Sequence, residues 1–156
     1  MTDHSVTHNT FTLERTYAAP VARVYTAFAD WGAKQQWFKS PEGWVEGEAR
    51  MDFRVGGSEV SKGGPKGGPV HSFEARYYDI VPNERIVYAY EMYMDDKRIS
   101  VSVATIELKA DGQRTRLKLT EQGAYLDGFD NGSQREEGTR GLLDALGESL
   151  KQPTRK

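Results

Sequence analysis

Residues Thr10 to Tyr17 alternate, with Phe11, Leu13 and Arg15 on one side and Thr10, Thr12, Glu14 and Thr16 on the other. This period of two predicts a first strand. Pro20 suits the first helical position, and Val21, Val24, Tyr25 and Phe28 then recur at helical spacing. Gly32 supplies a stop, and a short second helix over Ala33–Phe38 ends in Trp37-Phe38. From Gly43 to Gly123 the pattern is strand throughout. Trp44–Glu48 and Arg50–Val55 read as a pair turning near Gly47. His71–Ile80, Arg85–Tyr93, Arg98–Lys109 and Arg114–Gln122 follow, separated by Pro82-Asn83, Asp95-Asp96 and Asp111-Gly112. Those dipeptides are hairpin chemistry, so neighbouring strands run antiparallel.

A last helix is predicted from about Ser133 to Lys151, with Ser133 and Glu136 as a capping box. Thr139, Leu142, Leu143, Leu146 and Leu150 form its apolar stripe, and Pro153 ends it. The order strand, two helices, six strands, long helix defines an α+β fold. A single antiparallel sheet has to bury one face, and the last helix is the only element long enough to cover it. The expected organisation is a flexible tail over 1–9, one domain over 10–152 and a short tail over 153–156.

Composition narrows the function classes. The net charge is −2 with both signs interspersed, which suggests neither nucleic acid nor an anionic membrane as partner. With no cysteine there is no disulfide framework, thiol nucleophile or zinc-cysteine site. No apolar run reaches the roughly 18–20 residues of a membrane span, and Met1–Asn9 is polar, so a cytoplasmic protein without membrane insertion is expected. His4 and His8 are four apart but fall in the expected tail, so no metal site is assigned; no cofactor is assigned either. His71 opens a strand and reads as an exposed strand-end histidine. Gly56–Pro69 is rich in glycine but lacks GxxxxGK[ST] and a following helix, so it reads as a flexible hairpin connection long enough to form a flap.

Several ordered pieces carry a resemblance. They are Ala19-Pro20-Val21-Ala22-Arg23-Val24-Tyr25-Thr26-Ala27-Phe28, Trp37-Phe38, Phe53-Arg54-Val55-Gly56-Gly57, Pro82-Asn83-Glu84-Arg85-Ile86-Val87-Tyr88, and Thr115 through Gly123. Together, over about Thr10 to Leu150, the chain resembles the START-like (SRPBCC) superfamily. Within it the match is to relatives of the activator of the ninety-kilodalton heat-shock chaperone's ATPase. The resemblance implies a helix-grip fold: a curved antiparallel sheet of six or seven strands around the C-terminal helix, with two short helices after the first strand. It also implies a cavity between the concave sheet face and that helix. Carriers of small hydrophobic ligands and lipids, cyclases and co-chaperones all occur in the superfamily, and fold does not select among them.

Alternation places Ile86, Tyr88, Tyr90 and Met92 on one face, Ala104, Ile106 and Leu108 on another, and Leu117, Leu119 and Glu121 on a third. All three are assigned inward. The candidate cavity residues are Trp37, Phe38, Tyr88, Tyr90, Ile106, Leu119, Glu121, Phe129 and Leu143. Plain core is the competing reading for the apolar members. A rim position, or pairing with an arginine such as Arg135, is the competing reading for Glu121. Tyr125 and Phe129 fall in the expected loop Gly123–Gly132, which could gate the cavity. No catalytic residue is assigned. The leading reading is a protein that binds a small hydrophobic or aromatic molecule. The alternatives are a cyclase- or hydrolase-type enzyme using the same cavity and a stress-response or chaperone interaction domain. Open sheet edges leave a homodimer available.

Overall fold

The computed structural model describes residues 4–152. Its seven strands are β1 (Val6–Tyr17), β2 (Trp44–Met51), β3 (Ser58–Pro65), β4 (His71–Val81), β5 (Arg85–Met94), β6 (Lys97–Asp111) and β7 (Arg114–Leu126). They form one antiparallel sheet in the order β1-β7-β6-β5-β4-β3-β2. The sheet is curved and unclosed, with β1 and β2 as its edges. Two short helices, α1 (Val21–Ala29) and α2 (Trp31–Lys34), follow β1, and α3 (Gly132–Leu150) lies across the concave face. This is the helix-grip arrangement.

The predicted turns form where backbone chemistry demanded them. Asn83, Asp95 and Gly112 all take positive φ, the conformation that Asn, Asp and Gly tolerate best. The strands they join keep the expected alternation: Ile86, Ala104, Ile106, Leu108, Leu117, Leu119 and Glu121 are all buried. Opposite them, α3 contributes Leu143, Leu146 and Leu150 with 1%, 0% and 8% exposure, while Leu142 stays half-buried. Tyr17 donates to the Leu143 carbonyl at 2.7 Å and Thr115 donates to the Ala19 carbonyl at 2.7 Å, tying α3 and the β1–α1 corner to the strands.

Five local expectations require correction. The first strand starts at Val6, not Thr10, because Val6–Asn9 pair with Gly123–Leu126 of β7. Asn9 also packs against Gly132 so closely that a Cβ there would lie 2.2 Å from its amide nitrogen. His4 and Ser5 meet Asp127, at 3.2 and 2.9 Å, so the expected tail is tied down from residue 4 onward. Second, α1 ends at Asp30 and not at Gly32; the Asp30 carboxylate accepts from the Ala33 N–H at 2.9 Å and restarts the chain as α2, which stops at Lys34. Third, Trp44–Met51 is one strand that pairs with Ser58–Pro65, not with Arg50–Val55. Of the expected glycine-rich connection Gly56–Pro69, Ser58–Pro65 is therefore strand β3, in which Gly63 passes close to Val45 and Ser40, and only the part after Pro65 forms the hairpin connection to β4. Fourth, β7 runs to Leu126, which puts Tyr125 in the sheet at 1% exposure and shortens the connection to α3. Fifth, the α3 cap is Asn131, whose side chain accepts from the Gln134 N–H at 2.9 Å; Ser133 lies inside the helix. Pro153 lies outside the described residues.

Two measurements check these assignments. Leu146→Ala should destabilise the protein by about 2–5 kcal/mol in urea denaturation, the range for a buried leucine; a loss under about 0.5 kcal/mol would show that the stripe does not face the core. Asn131→Ala should cost about 1 kcal/mol while Ser133→Ala stays within about 0.5 kcal/mol; the reverse order would restore Ser133 as the cap.

Candidate functional site

The inward row of β6 changes character along its length: Ser100, Ser102 and Ala104 are small, whereas Ile106 and Leu108 are bulky, and all are buried. Around the bulky end, Ile106, Leu117, Leu119, Leu143 and Leu146 pack into the main core with Phe11, Leu13, Val24 and Phe28. Around the small end there is room for long side chains from neighbouring elements. Tyr90 reaches across from β5, Glu121 from β7 and Arg135 from the first turn of α3.

These three groups form a buried network. The Tyr90 hydroxyl donates to Glu121 Oε2 at 2.8 Å. Arg135 donates through Nη1 to Tyr90 at 2.9 Å, and through Nη2 to Ser100 at 2.8 Å and Asp130 at 2.6 Å. Its guanidinium lies 3.8 Å from Glu121 Oε2, with its centre 5.4 Å from each of the Tyr90 and Tyr125 rings. The planar, five-donor guanidinium suits this many partners as an ammonium would not. Burial raises the Glu121 carboxyl above its ordinary value, opposed by the Tyr90 hydrogen bond and by Arg135. Burial would lower Arg135, but Tyr90, Asp130 and Glu121 outweigh it and raise it. Burial also raises the Tyr90 phenol, reinforced by Glu121.

A second buried carboxylate lies on the other side of the concave face. Glu59 of β3 is fully buried and Lys34 at the end of α2 is 5% exposed. Lys34 Nζ sits 2.6 Å from Glu59 Oε1, and the Tyr77 hydroxyl donates to the same oxygen. Glu59 Oε2 is buried with no hydrogen-bond partner. Burial raises the Tyr77 phenol, with Glu59 adding to the effect. Tyr88 lies between the two carboxylates, and its phenol is raised first by burial and then by Glu121 and Glu59.

A series of aromatic contacts runs beside this second pair, touching it at Phe38 and Tyr77. From α1, Phe28 contacts Trp37 at 5.1 Å between ring centres, Trp37 contacts Phe38 at 5.8 Å, and Phe38 contacts Phe73 at 5.2 Å. Phe73 meets Tyr90 at 4.9 Å, and Tyr90 meets Tyr88 at 5.9 Å. The series returns through Tyr77 and Phe53 to Tyr25, again on α1, at 5.9, 4.9 and 6.0 Å. Most of these contacts are edge-to-face, the favoured geometry, and each contributes about 0.5–1.5 kcal/mol beyond area burial.

Beside this belt is a hollow of about 150 Å³ whose walls include Phe38, Trp44, His71, Phe73, Met92 and Leu142. His71 stacks on Trp44 at 4.7 Å, so it belongs to the wall of the hollow and is not a free strand end. A larger surface groove, about 990 Å³, runs between α1, α2 and the C-terminal turn of α3, past Arg23, Asp30, Glu148 and Gln152. It touches neither buried carboxylate. Of the sequence candidates, Phe38 lines the hollow, and Tyr88 and Tyr90 stand in the belt behind it. Glu121 is committed to the Arg135 network. Trp37 is a core residue whose indole N–H donates to the Ala27 carbonyl at 2.9 Å. Ile106, Leu119 and Leu143 are close-packed core, the competing reading given above. Phe129 is 40% exposed under Lys97 and lies away from the hollow. Sequence reasoning missed Lys34, Glu59, Phe73, Met92 and Leu142 as a group. The period-two relation of Glu59 to Ser61 and Gly63 was readable only once that stretch was taken as a strand. Among the described residues no cluster of three or more His, Asp or Glu side chains could hold a metal ion. None of the described helices is long and apolar enough to cross a membrane.

The raised carboxyl of Glu121 has a pH consequence. The folded state keeps this proton above 4.5, the ordinary value, so it binds more protons than the unfolded chain from there up to the folded value. The stability of the wild type relative to Glu121→Gln should therefore be greatest below pH 4.5 and decline as pH rises through that window. Denaturant titrations of both proteins at pH 4 and pH 7 check the sign; a gap that moves in favour of the wild type with rising pH would contradict it.

The family described as Activator of Hsp90 ATPase homolog 1-like protein matches residues 18–153. No curated protein matches the chain. Among solved structures, the Mll3558 protein of Rhizobium loti is 48% identical, with a TM-score of 0.86 over 93% of this chain and 99% of that one. A putative uncharacterized protein of Rhizobium leguminosarum is 40% identical, with a TM-score of 0.90 over 96% and 99%. Protein CV1439 of Chromobacterium violaceum is 30% identical, with a TM-score of 0.77 over 93% and 99%. With a family match across most of its length and these relatives in the same fold, the chain belongs to the Activator of Hsp90 ATPase homolog 1-like family.

Proposed function

We propose that the protein binds a small aromatic molecule in the hollow between the concave sheet face and α3. One observation carries this reading. The sheet–helix interface is close-packed around Ile106, Leu119, Leu143 and Leu146, yet opens where Phe38, Phe73, Met92 and Leu142 converge and stay half-buried. A hollow walled by apolar and aromatic groups with polar side chains nearby is the usual form of a small-molecule site.

Its size sets the substrate class. Ligand pockets for drug-sized molecules run to about 300–1,000 Å³, and this hollow is about 150 Å³. An enclosed apolar cavity of roughly that volume accommodates a benzene ring, and this hollow, which is open to solvent and partly lined by Ser61 and Lys62, offers a similar volume. A single ring therefore matches the space, whereas an acyl chain would require the walls to part. An enzyme reading based on Glu121 finds less support, because the oxygen nearest Arg135 already accepts from Tyr90 and the side chain is 3% exposed.

Toluene is a suitable probe. Titrated into ¹⁵N-labelled protein, it is expected to shift the amide signals of Gly63, His71, Phe73 and Met92 and to leave Thr26, Ala33 and Ser149 in the outer groove unmoved. Met92→Trp, which fills the hollow from its own wall, should keep the fold and abolish those shifts. Shifts confined to the outer groove, or none at all, would refute the reading.

A further inference from the structure

Glu59 presents an unusual imbalance. Its Oε1 accepts from both Lys34 and Tyr77, while its Oε2 is buried and accepts from nothing. An ionised carboxylate is only an acceptor, and a buried acceptor left empty is costly. The missing partner must be a donor. Charge limits its kind: Lys34 and Glu59 already neutralise one another, so a cation brought to this spot would carry its charge into the interior unpaired. A neutral O–H or N–H remains.

The unpartnered oxygen belongs to a strand that also lines the hollow. Glu59, Ser61 and Gly63 share one face of β3, and the latter two line the hollow. Lys34 Nζ lies 4.7 Å from the centre of the Phe38 ring, which also forms part of the wall. Glu59 thus stands two positions along the same β3 face from Ser61 in the wall of the hollow, and Phe38, which lies against its partner Lys34, is a half-buried part of that wall.

We infer that Glu59 Oε2 is the polar recognition point for the molecule bound in the hollow, and that this molecule is a single aromatic ring bearing a neutral hydroxyl. This rests on binding in the hollow as proposed above. The ring lies among Phe38, Phe73, Met92 and Leu142, and its hydroxyl donates to the carboxylate oxygen that the protein leaves empty. Phe38 turns aside to admit it. Lys34 and Tyr77 act as positioning residues: they hold Oε1 and so fix the direction of Oε2.

The test compares phenol with toluene, two probes of nearly one shape that differ in the donor. The wild type is expected to bind phenol at least about tenfold more tightly than toluene, the scale of one good hydrogen bond to a charged acceptor. Glu59→Gln, which replaces one acceptor oxygen with an amide N–H₂, should bring the two affinities within about threefold. Glu59→Gln puts the Lys34 partnership at risk, so two measurements on the wild type stand independently of it: the phenol-to-toluene ratio, and nuclear Overhauser contacts from the phenol ring to the Met92 methyl. Equal binding of both probes at Met92 would overturn the recognition role of Glu59 while leaving the hollow as a binding site. Selectivity for phenol retained in a folded Glu59→Gln protein would overturn it as well. Absence of both probes from Met92 would overturn both proposals.

Discussion

Arg135 fixes how the long helix meets the sheet. The apolar stripe of α3 is confined to its C-terminal two-thirds, where Leu143, Leu146 and Leu150 are buried. Its first turns carry no leucine; there the packing consists of the close contact of Gly132 with Asn9 and the buried Thr139. Arg135 supplies an anchor by reaching Tyr90 on β5, Ser100 on β6 and Asp130 before the helix, with Glu121 of β7 close by. Such a buried network adds little net stability against an apolar packing of the same volume, because desolvation offsets attraction. Its effect is geometric. The helix must sit where all partners are satisfied together, and removing Arg135 leaves the buried Glu121 carboxylate without its cation.

That placement explains why the sheet–helix interface is unequal along its length. At the bulky end of β6 the helix leucines and strand aliphatics close the space, as interior packing density requires. At the other end the small residues Ser100, Ser102 and Ala104 hold the strand back, and long polar side chains bridge the gap. The space not filled by either lies farther across the sheet, under β3, β4 and β5. There the cover comes from Phe38 after α2 and Leu142 of α3. Leu142 is half-buried for this reason: it faces the hollow while Leu143, one position on, faces the packed core.

The sequence showed the fold far better than the site. Alternation in Ile86–Met92, Ala104–Leu108 and Leu117–Glu121 gave inward faces correctly, because a period of two survives any shift of strand ends. Turn chemistry at Asn83, Asp95 and Gly112 located three hairpins because those residues favour the required backbone. The reading failed at Gly63-Gly64, where glycine signalled flexibility but instead permits close approach between adjacent strands. It failed again at Asn9, whose contact with Gly132 joins residues at opposite ends of the chain and leaves no local trace. Glu121 was legible as a polar residue ending an apolar row. Glu59 was not, since its partners Lys34 and Tyr77 stand 25 and 18 positions away and nothing in their spacing connects them.

The two buried carboxylates follow one plan with different outcomes. Each stands on the concave face, each accepts from a tyrosine, and each faces a cation: Tyr90 and Arg135 for Glu121, Tyr77 and Lys34 for Glu59. The cation comes from a helix in both cases, so the pair on β7 registers α3 and the pair on β3 registers α2. The difference lies in the donors. The N–H groups of a guanidinium spread over Tyr90, the serines and Asp130, so one side chain ties α3 to two strands, although the Tyr125 hydroxyl beside it is buried without a partner among the described residues. The compact ammonium of Lys34 meets one oxygen of Glu59 and leaves the other empty. The network with many partners suits an anchor, because it ties the helix to two strands at once. The open one suits recognition, because a buried acceptor without a donor discriminates strongly between a ligand that supplies one and a ligand of equal shape that does not.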